Sequence, residues 1–289
     1  MTRSLRFRIV NVFAESTLGG NPLCVFENGL DLADAEMLAL ARQFNLSETT
    51  LVLPPIGGDA RVRIFTPSYE MPFAGHPSLG TGYVVGQMLG VAGRAVLLDM
   101  KAGQVRVDAD GDRMTLTAPR EREPRVRPVE MADADVAALL GLRADELAAS
   151  PAWVDSGADQ MIVPVDSAAA VLRAKPDAAL LDRWPLSSLK RRSAYVVHVG
   201  EGAVLDVTAR YFFTTSGGGV TEDPGTGSAC ANLGAWLAHR GRPLPFRAAV
   251  AQGDQIDRPC RLTLEVTADR AIRVGGRVIE LAHGELTLP

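Results

Sequence analysis

The sequence predicts an α+β fold built from two pseudo-symmetric lobes, and three observations support this prediction. The 289 residues suggest two domains, each long enough to bury a core of its own. Strand-like segments outnumber helical ones, and each half contains one long apolar helix. A pattern of strand, Phe-Thr pair, acidic residue, glycine, serine and apolar helix also occurs once in each half. Such a repeat favours two lobes over a solenoid, which needs several shorter repeats.

The first copy of the pattern begins with the alternating segment 60–65, which predicts a strand. The apolar segment 79–90 predicts a buried helix. The loop between them contains Gly75 and Ser78, and it leads the chain into the start of that helix. The first N–H groups of a helix have no partner inside the helix and carry the positive end of its dipole.

The second copy joins the aromatic strand-like segment 210–215 to the small and apolar segment 229–239. Gly227 has no side chain to keep a ligand from the backbone. Asp223 adds an oxygen able to transfer protons, and Ser228 adds a hydroxyl. This combination predicts a site for a carboxylate or a developing enolate. The alternative is an ordinary glycine loop in which Asp223 or Ser228 is only a helix cap.

The two copies can be aligned on their Phe-Thr pairs, with two extra residues in the second loop. This alignment places Gly75 over Gly225 and Ser78 over Ser228. Two such units facing each other would direct two helix N-termini into one cleft.

Glu48 lies where the predicted helix 31–44 has ended and a strand is starting. A carboxylate in that place, next to two hydroxyl residues, can act as a general acid or base, or it can be merely solvated. The segment 160–165 corresponds in place to 50–53 and has no carboxylate matching Glu48. Asn21 could point at the site, although Asn before Pro is first of all a turn signal.

Composition narrows the class of protein. With 47% hydrophobic and 22% charged residues, the chain has the profile of a soluble enzyme or binding protein. The net charge of −4 gives no support for a nucleic-acid or membrane surface. No apolar run reaches membrane-spanning length, and the N-terminus lacks a signal-peptide core. The three cysteines form no CxxC pair and the four histidines are dispersed, which suggests a reducing, cytoplasmic setting and no metal cluster.

The proline-rich and charged segment 119–128 is the best candidate for the link between the lobes. We therefore expect an N-terminal lobe over residues 1–120 and a C-terminal lobe over residues 129–289. The last strand could return to the N-terminal lobe.

Five short motifs occur in an order that resembles the phenazine-biosynthesis isomerase family, the PhzF-like proteins, which share the diaminopimelate epimerase fold. The resemblance spans almost the whole chain. It implies that each lobe is a mixed sheet wrapped around a central helix, with the active site between the lobes. It also implies no cofactor, no metal and frequently a homodimer. The motifs are Gly20-Asn21-Pro22, Asn45-Leu46-Ser47-Glu48-Thr49, Phe65-Thr66-Pro67, Gly75-His76-Pro77-Ser78 and Glu222-Asp223-Pro224-Gly225-Thr226-Gly227-Ser228-Ala229.

The resemblance also implies roles for individual residues. Glu48 resembles the catalytic acid/base of the family. His76 and Asp223 resemble residues that hold the substrate and help to place the proton. The expected substrate-binding set consists of Asn21, Ser47, Gly75, Gly227 and Ser228.

Related epimerases and proline racemases use two cysteines, one at each helix start, as an acid/base pair. The matching positions here are Ala74 and Pro224, so a two-thiol racemisation is disfavoured. A single acid/base suits the movement of a proton between two carbons of one substrate. The sequence thus predicts a cofactor-independent isomerase acting on a small carboxylate-bearing substrate through Glu48 in the cleft between the lobes. The alternatives are an amino or hydroxy acid epimerase or racemase, and a non-catalytic protein that binds a small acid.

Overall fold

The computed structural model describes residues 2–91, 93–118, 123–214 and 218–288. The chain divides into two compact units, one formed by Met1–Thr117 with Gly275–Pro289 and the other by Ala118–Val274. Most of the last strand thus belongs to the first unit, a return that the sequence analysis allowed for. Of the predicted link 119–128, residues 119–122 lie outside the described residues, and Arg125–Pro128 form a strand.

The first unit contains the helices α1 (Asp34–Phe44) and α2 (Gly75–Met88). Helix α1 ends where the sequence predicts, because Asn45 adopts the left-handed conformation (φ 51°) that closes many helices. The strands of this unit are β1 (Arg3–Val12), β2 (Asn21–Phe26), β3 (Thr49–Leu53), β4 (Ala60–Phe65), β5 (Glu70–Met71), β6 (Val96–Met100), β7 (Gly103–Asp110) and β8 (Arg113–Thr117).

The second unit contains the helices α3 (Asp133–Leu139), α4 (Ala168–Arg173) and α5 (Gly227–His239), with short 3₁₀ turns between its strands. The last strand of the chain, β17 (Ile272–Leu288), begins in this unit and continues in the first. The other strands are β9 (Arg125–Pro128), β10 (Ala152–Asp155), β11 (Asp159–Pro164), β12 (Ser193–Val199), β13 (Val204–Thr214), β14 (Val220–Asp223), β15 (Phe246–Gln252) and β16 (Cys260–Val266).

The sheet of the first unit mixes parallel and antiparallel pairs. Strand β1 pairs antiparallel with β17 and β2, β2 runs parallel to β3, and β3 pairs antiparallel with β4. Strand β4 then pairs antiparallel with β5 and parallel with β6, and β6, β7 and β8 follow as an antiparallel meander.

The sheet of the second unit follows the same order. Strand β10 pairs antiparallel with β9 and β11, β11 runs parallel to β12, and β12 pairs antiparallel with β13. Strand β13 pairs antiparallel with β14 and parallel with β15, which pairs antiparallel with β16. The predicted match between segments 160–165 and 50–53 is therefore wrong. Strand β11 has the place of β2 in the pairing order, and β12 has the place of β3.

Helix α2 lies against most of the sheet of its unit, with contacts to β1, β2, β3, β4, β6, β7 and β8. Its glycines allow this close approach. A Cβ atom at Gly80 would lie 2.7 Å from Leu23 Cδ2, and one at Gly82 would lie 2.8 Å from Val107 Cγ1. Helix α5 uses Gly234 in the same way, since a Cβ atom there would lie 2.9 Å from a methyl carbon of β16.

Both units carry the same arrangement of an arginine, a phenylalanine and a glutamate at the hairpin before the long helix. The arginine pairs with the glutamate on the short neighbouring strand, and its guanidinium lies 5.0 Å from the phenylalanine ring centroid in the first unit and 4.7 Å in the second. The two sets are Arg63, Phe65 and Glu70, and Arg210, Phe212 and Glu222.

This arrangement corrects the predicted register of the repeat. Phe65 matches Phe212 and not the next residue, because Glu70 and Glu222 stand opposite these two phenylalanines in the strand pairs. Counting on from the glutamates places Gly75 over Gly227 and His76 over Ser228, and helices α2 and α5 begin at those two glycines. The predicted alignment of Gly75 with Gly225, and of Ser78 with Ser228, is wrong by two residues.

Candidate active site

Glu48 is the last residue before strand β3, three residues after the end of helix α1 at Asn45. The left-handed turn at Asn45 and the start of β3 fix the backbone on either side of Glu48. Its side chain is 16% exposed, so the carboxyl is largely withdrawn from solvent. Its neighbour Ser47 is exposed.

His76 is the second residue of helix α2 and is buried. Its Nε2 atom lies 3.5 Å from Oε2 of Glu48, and its Nδ1 atom lies 3.4 Å from Nδ2 of Asn21. Asn21 is fully buried at the start of β2. It follows Gly20, which has a positive φ of 79°. Only glycine fits there, because a Cβ atom at this position would also lie 2.6 Å from Ala14 Cβ. The structure thus brings together three predicted site residues from three different segments of the chain.

The imidazole of His76 is neutral at physiological pH. Burial lowers the pKa of His76 to about 3 and outweighs a hydrogen bond from the ring to the backbone of Pro22, which favours the charged form. The contact with Glu48 is therefore not an ion pair near pH 7. It is also longer than an ordinary hydrogen bond of roughly 2.7–3.2 Å. Glu48 is thus a carboxyl group in a mostly dry position beside a neutral ring, which is a chemically useful position for accepting and releasing a proton.

The start of helix α2 offers backbone donors beside this pair. Helix geometry leaves the N–H groups of Gly75 and His76 without an intrahelical acceptor. Ser78 does not occupy these N–H groups, because both its own N–H and its hydroxyl donate to the carbonyl of Ala74, the hydroxyl at 2.6 Å. An acceptor atom near Gly75 would therefore meet two amides and the positive end of the helix dipole.

In the second unit, Asp223 ends β14 and its carboxylate accepts a hydrogen bond from the hydroxyl of Thr226. Gln252 supports both residues, since its Nε2 donates to Thr226 Oγ1 at 3.0 Å and to the Asp223 carbonyl at 2.9 Å. Thr226, and not the predicted Pro224, directly precedes helix α5 and so matches Ala74, which precedes α2.

Neither residue at these two positions carries a thiol. The three cysteines, Cys24, Cys230 and Cys260, are buried, and burial raises the pKa of each thiol. None of these three thiols therefore has the position or the pKa that an acid/base pair at the helix starts requires.

Ser228 is the second residue of α5, and its Oγ accepts a hydrogen bond from Gln160 Nε2 at 2.8 Å. Gln160 Oε1 in turn accepts from Asn232 Nδ2 at 2.6 Å. Gly227, the first residue of the helix, is buried at the same place. Neither Gln160 nor Asn232 was predicted from the sequence. The signal was an amide side chain beside the apolar segment 161–164 of β11 and another within the largely apolar helix α5, where each must find hydrogen-bond partners.

Ser193 has the place of Glu48 in the second unit. Phe65 pairs with Thr49 across β3 and β4, and Phe212 pairs with Ala194 across β12 and β13, so the residues one step earlier correspond. A neutral hydroxyl thus stands where the first unit has its carboxyl. The expected absence of a matching carboxylate holds at this position, although on a different strand from the one predicted.

Within the described ranges 2–91, 93–118, 123–214 and 218–288, no group of three or more His, Cys, Asp or Glu side chains could hold a metal ion. No helix in these ranges is long and apolar enough to cross a membrane.

The comparisons with known proteins agree with one another. Residues 10–284 match the family model PhzC-PhzF, described as phenazine biosynthesis-like protein. An uncharacterized isomerase of Pasteurella multocida is 38% identical, over 98% of this chain and 94% of that protein. The trans-2,3-dihydro-3-hydroxyanthranilate isomerase of Pseudomonas aeruginosa is 33% identical, over 98% of this chain and 99% of that protein. The crystal structure of a PhzF family protein from Bacillus anthracis superposes with a TM-score of 0.85 at 23% identity, covering 98% of this chain and 99% of that one.

Proposed function

The chain belongs to the PhzC-PhzF family of phenazine biosynthesis-like proteins, and from that premise we propose that it is a cofactor-independent isomerase that moves a proton within a small carboxylate-bearing substrate. Isomerase activity follows from the family and from its named relatives. The finer proposal, a single glutamate as acid and base, rests on the geometry around Glu48.

The observation that supports this proposal most strongly is the 3.5 Å contact between the carboxyl of Glu48 and the neutral imidazole of His76. In the proposed reaction, Glu48 takes a proton from a carbon made acidic by conjugation with a double bond. The electron pair left behind shifts along the conjugated system, and Glu48 returns the proton to another carbon. Atoms and charge balance without a redox partner, since the substrate and the product are isomers.

His76 would orient the substrate and Glu48, with Asn21 holding the ring from its other side. A neutral imidazole suits this role, because it offers one donor and one acceptor nitrogen without pairing permanently with the carboxylate. The amide of Gly75 at the start of α2 would accommodate charge that develops on the substrate. Exposed Ser47 would add a hydroxyl beside Glu48.

We propose that Asp223, Gly227 and Ser228 bind the substrate through its carboxylate or its other polar groups. The support is the start of α5, where the amide of Gly227 and the hydroxyl of Ser228 supply donors. The same strand order in both units further supports a pseudo-symmetric pair of lobes of the diaminopimelate epimerase type. A homodimer, as the family resemblance implies, is an additional expectation that light scattering would test.

Glu48→Gln tests the proposal with trans-2,3-dihydro-3-hydroxyanthranilate, the substrate named for a relative, and with a panel of small unsaturated carboxylic acids. Loss of a positioned acid/base group should lower the rate by about 10²–10⁴-fold. Glu201→Gln, which changes an exposed glutamate, is the control and should retain full turnover. Full turnover by Glu48→Gln on the acid that the wild-type protein isomerises would refute the role of Glu48.

A further inference from the structure

A chain of buried amide groups lies beneath the start of helix α5. Ser228 Oγ accepts from Gln160 Nε2 at 2.8 Å, and Gln160 Oε1 accepts from Asn232 Nδ2 at 2.6 Å. Asn232 is anchored to backbone on both sides of its amide. Its Oδ1 accepts from the N–H of Ser156 at 2.9 Å, and its Nδ2 donates to the carbonyl of Ala158 at 2.8 Å. Gln160 is 6% exposed and Asn232 is fully buried.

The donor and acceptor roles in this chain are determined by the backbone. A backbone N–H can only donate and a backbone carbonyl can only accept, so the Asn232 amide has one permitted orientation. Its NH₂ group then faces Gln160, which must present its oxygen to Asn232. The NH₂ group of Gln160 is consequently directed at Ser228. A flipped amide at either residue would place like groups against each other.

This polarity decides what the Ser228 hydroxyl can do. The oxygen accepts from Gln160, so its single proton must be donated elsewhere. Thr226 contrasts with it, because its hydroxyl proton is already donated to Asp223 while its oxygen accepts from Gln252. Ser228 is therefore the hydroxyl at the start of α5 that offers a donor to a ligand.

The fold itself does not require these amides. In the first unit, the residues at the matching positions are Leu23, in place of Gln160, and Gly80, in place of Asn232. Gly80 of helix α2 lies directly on Leu23, which is fully buried in the core of its unit. These positions hold buried amides in the second unit and an apolar pair in the first. Because the amides lead to one residue of the proposed substrate-binding set, they indicate a specific task.

We propose that Gln160 and Asn232 are positioning residues that fix the Ser228 hydroxyl as a hydrogen-bond donor, so that this position selects an acceptor group of the substrate, a carboxylate. This inference rests on the proposed function and deepens it, because it assigns the carboxylate-binding role to a particular hydroxyl and names the residues that set its polarity.

Acetate is the test probe, and its binding is followed by NMR at the backbone amides of Gly227 and Ser228. The proteins compared are wild type, Gln160→Met, Ser228→Ala and the double variant. Removing a hydrogen bond to a charged group should weaken acetate binding at these amides by about tenfold or more in Ser228→Ala. Gln160→Met should weaken it several-fold. The double variant should bind no more weakly than Ser228→Ala, because the glutamine acts through the hydroxyl.

Tyr211→Phe is the matched control. It removes the other hydroxyl that Gln160 contacts, and it should leave acetate affinity within about twofold. Gln160→Leu, which introduces the residue found at the matching position of the first unit, replaces Gln160→Met if that variant does not fold.

If Gln160→Met weakens acetate binding equally with and without the Ser228 hydroxyl, the proposal is overturned. It is also overturned if the amides of Gly227 and Ser228 do not respond to acetate in the wild-type protein. The result is separable from the role of Glu48. The acetate experiment measures binding at the α5 amides and does not depend on turnover. Full turnover by Glu48→Gln would therefore refute the acid/base assignment and leave the positioning result standing.

Discussion

His76→Gln should abolish part of the pH dependence of stability, and the size of the effect follows from the burial of the ring. Burial lowers the pKa of His76 to about 3, whereas the ordinary value is 6.5. As the pH falls below 6.5, His76 binds a proton in the unfolded chain but not in the native state. Stability is therefore lost progressively down to about pH 3. One pKa unit corresponds to about 1.4 kcal/mol, and lowering the pH from 7.5 to 5 should therefore cost about 2 kcal/mol through this residue.

The assay is urea denaturation of the wild-type and His76→Gln proteins at pH 7.5 and pH 5. The substitution itself lowers stability at both pH values, since it disturbs a buried site, but the wild-type protein should lose about 2 kcal/mol more than the variant on acidification. His239→Gln, which removes an exposed imidazole, is the control for losing a histidine outside the core. If the wild type and His76→Gln lose the same free energy between the two pH values, His76 is not held neutral by burial, and the electrostatic description of the site is wrong.

Three other predictions concern packing, buried charge and thiols. Gly80→Ala should lower the free energy of unfolding by about 1–3 kcal/mol, because its Cβ would lie 2.7 Å from Leu23 Cδ2. Gly86→Ala, whose Cβ would lie 4.0 Å from Val96 Cγ1, should be neutral or slightly stabilising. Arg210→Met should lower the free energy of unfolding, measured by chemical denaturation, by about 3–5 kcal/mol, because it leaves the nearly buried carboxylate of Glu222 unpaired. Arg247→Met, which breaks an exposed pair, should lower it by no more than about 1 kcal/mol. The three buried cysteines should fail to react with a thiol reagent at pH 8 until urea is added; rapid labelling of the native protein would contradict their burial.

Much of the fold is readable in the sequence because the signals are local. Apolar runs rich in small residues predicted both long helices, and a left-handed Asn45 closes α1 as expected. Glu48 was placed correctly at a helix-to-strand junction, and the structure places His76 Nε2 3.5 Å from its carboxyl.

The register of the repeat could not be read from the sequence alone. Phe212 and Phe213 are adjacent, and either can be aligned with Phe65. Because strand side chains alternate between two faces, choosing the wrong phenylalanine places the strand residues aligned with it on the opposite face. The pairing of Phe212 with Glu222, and the contacts of Arg210 with both residues, identify Phe212 as the match, and these contacts form only on folding.

The electrostatics of the site also depend on tertiary packing. Nothing in the sequence shows that His76 is neutral, because its pKa is set by surrounding groups from distant segments. Gln160 and Asn232 were missed for a similar reason. Gln160 lies beside an apolar run and Asn232 within one, and their mutual hydrogen bond joins residues 72 positions apart in the chain.

The most direct test of the account is cleavage of the substrate carbon–hydrogen bond by wild-type and Glu48→Gln proteins. The substrate carries deuterium at the carbon that loses its proton, and mass spectrometry follows the loss or transfer of that label over time. If Glu48 is the acid and base, Glu48→Gln should break this bond about 10²–10⁴ times more slowly than the wild type while still binding the acid. Cleavage of the carbon–deuterium bond by Glu48→Gln at the wild-type rate would contradict this role of Glu48.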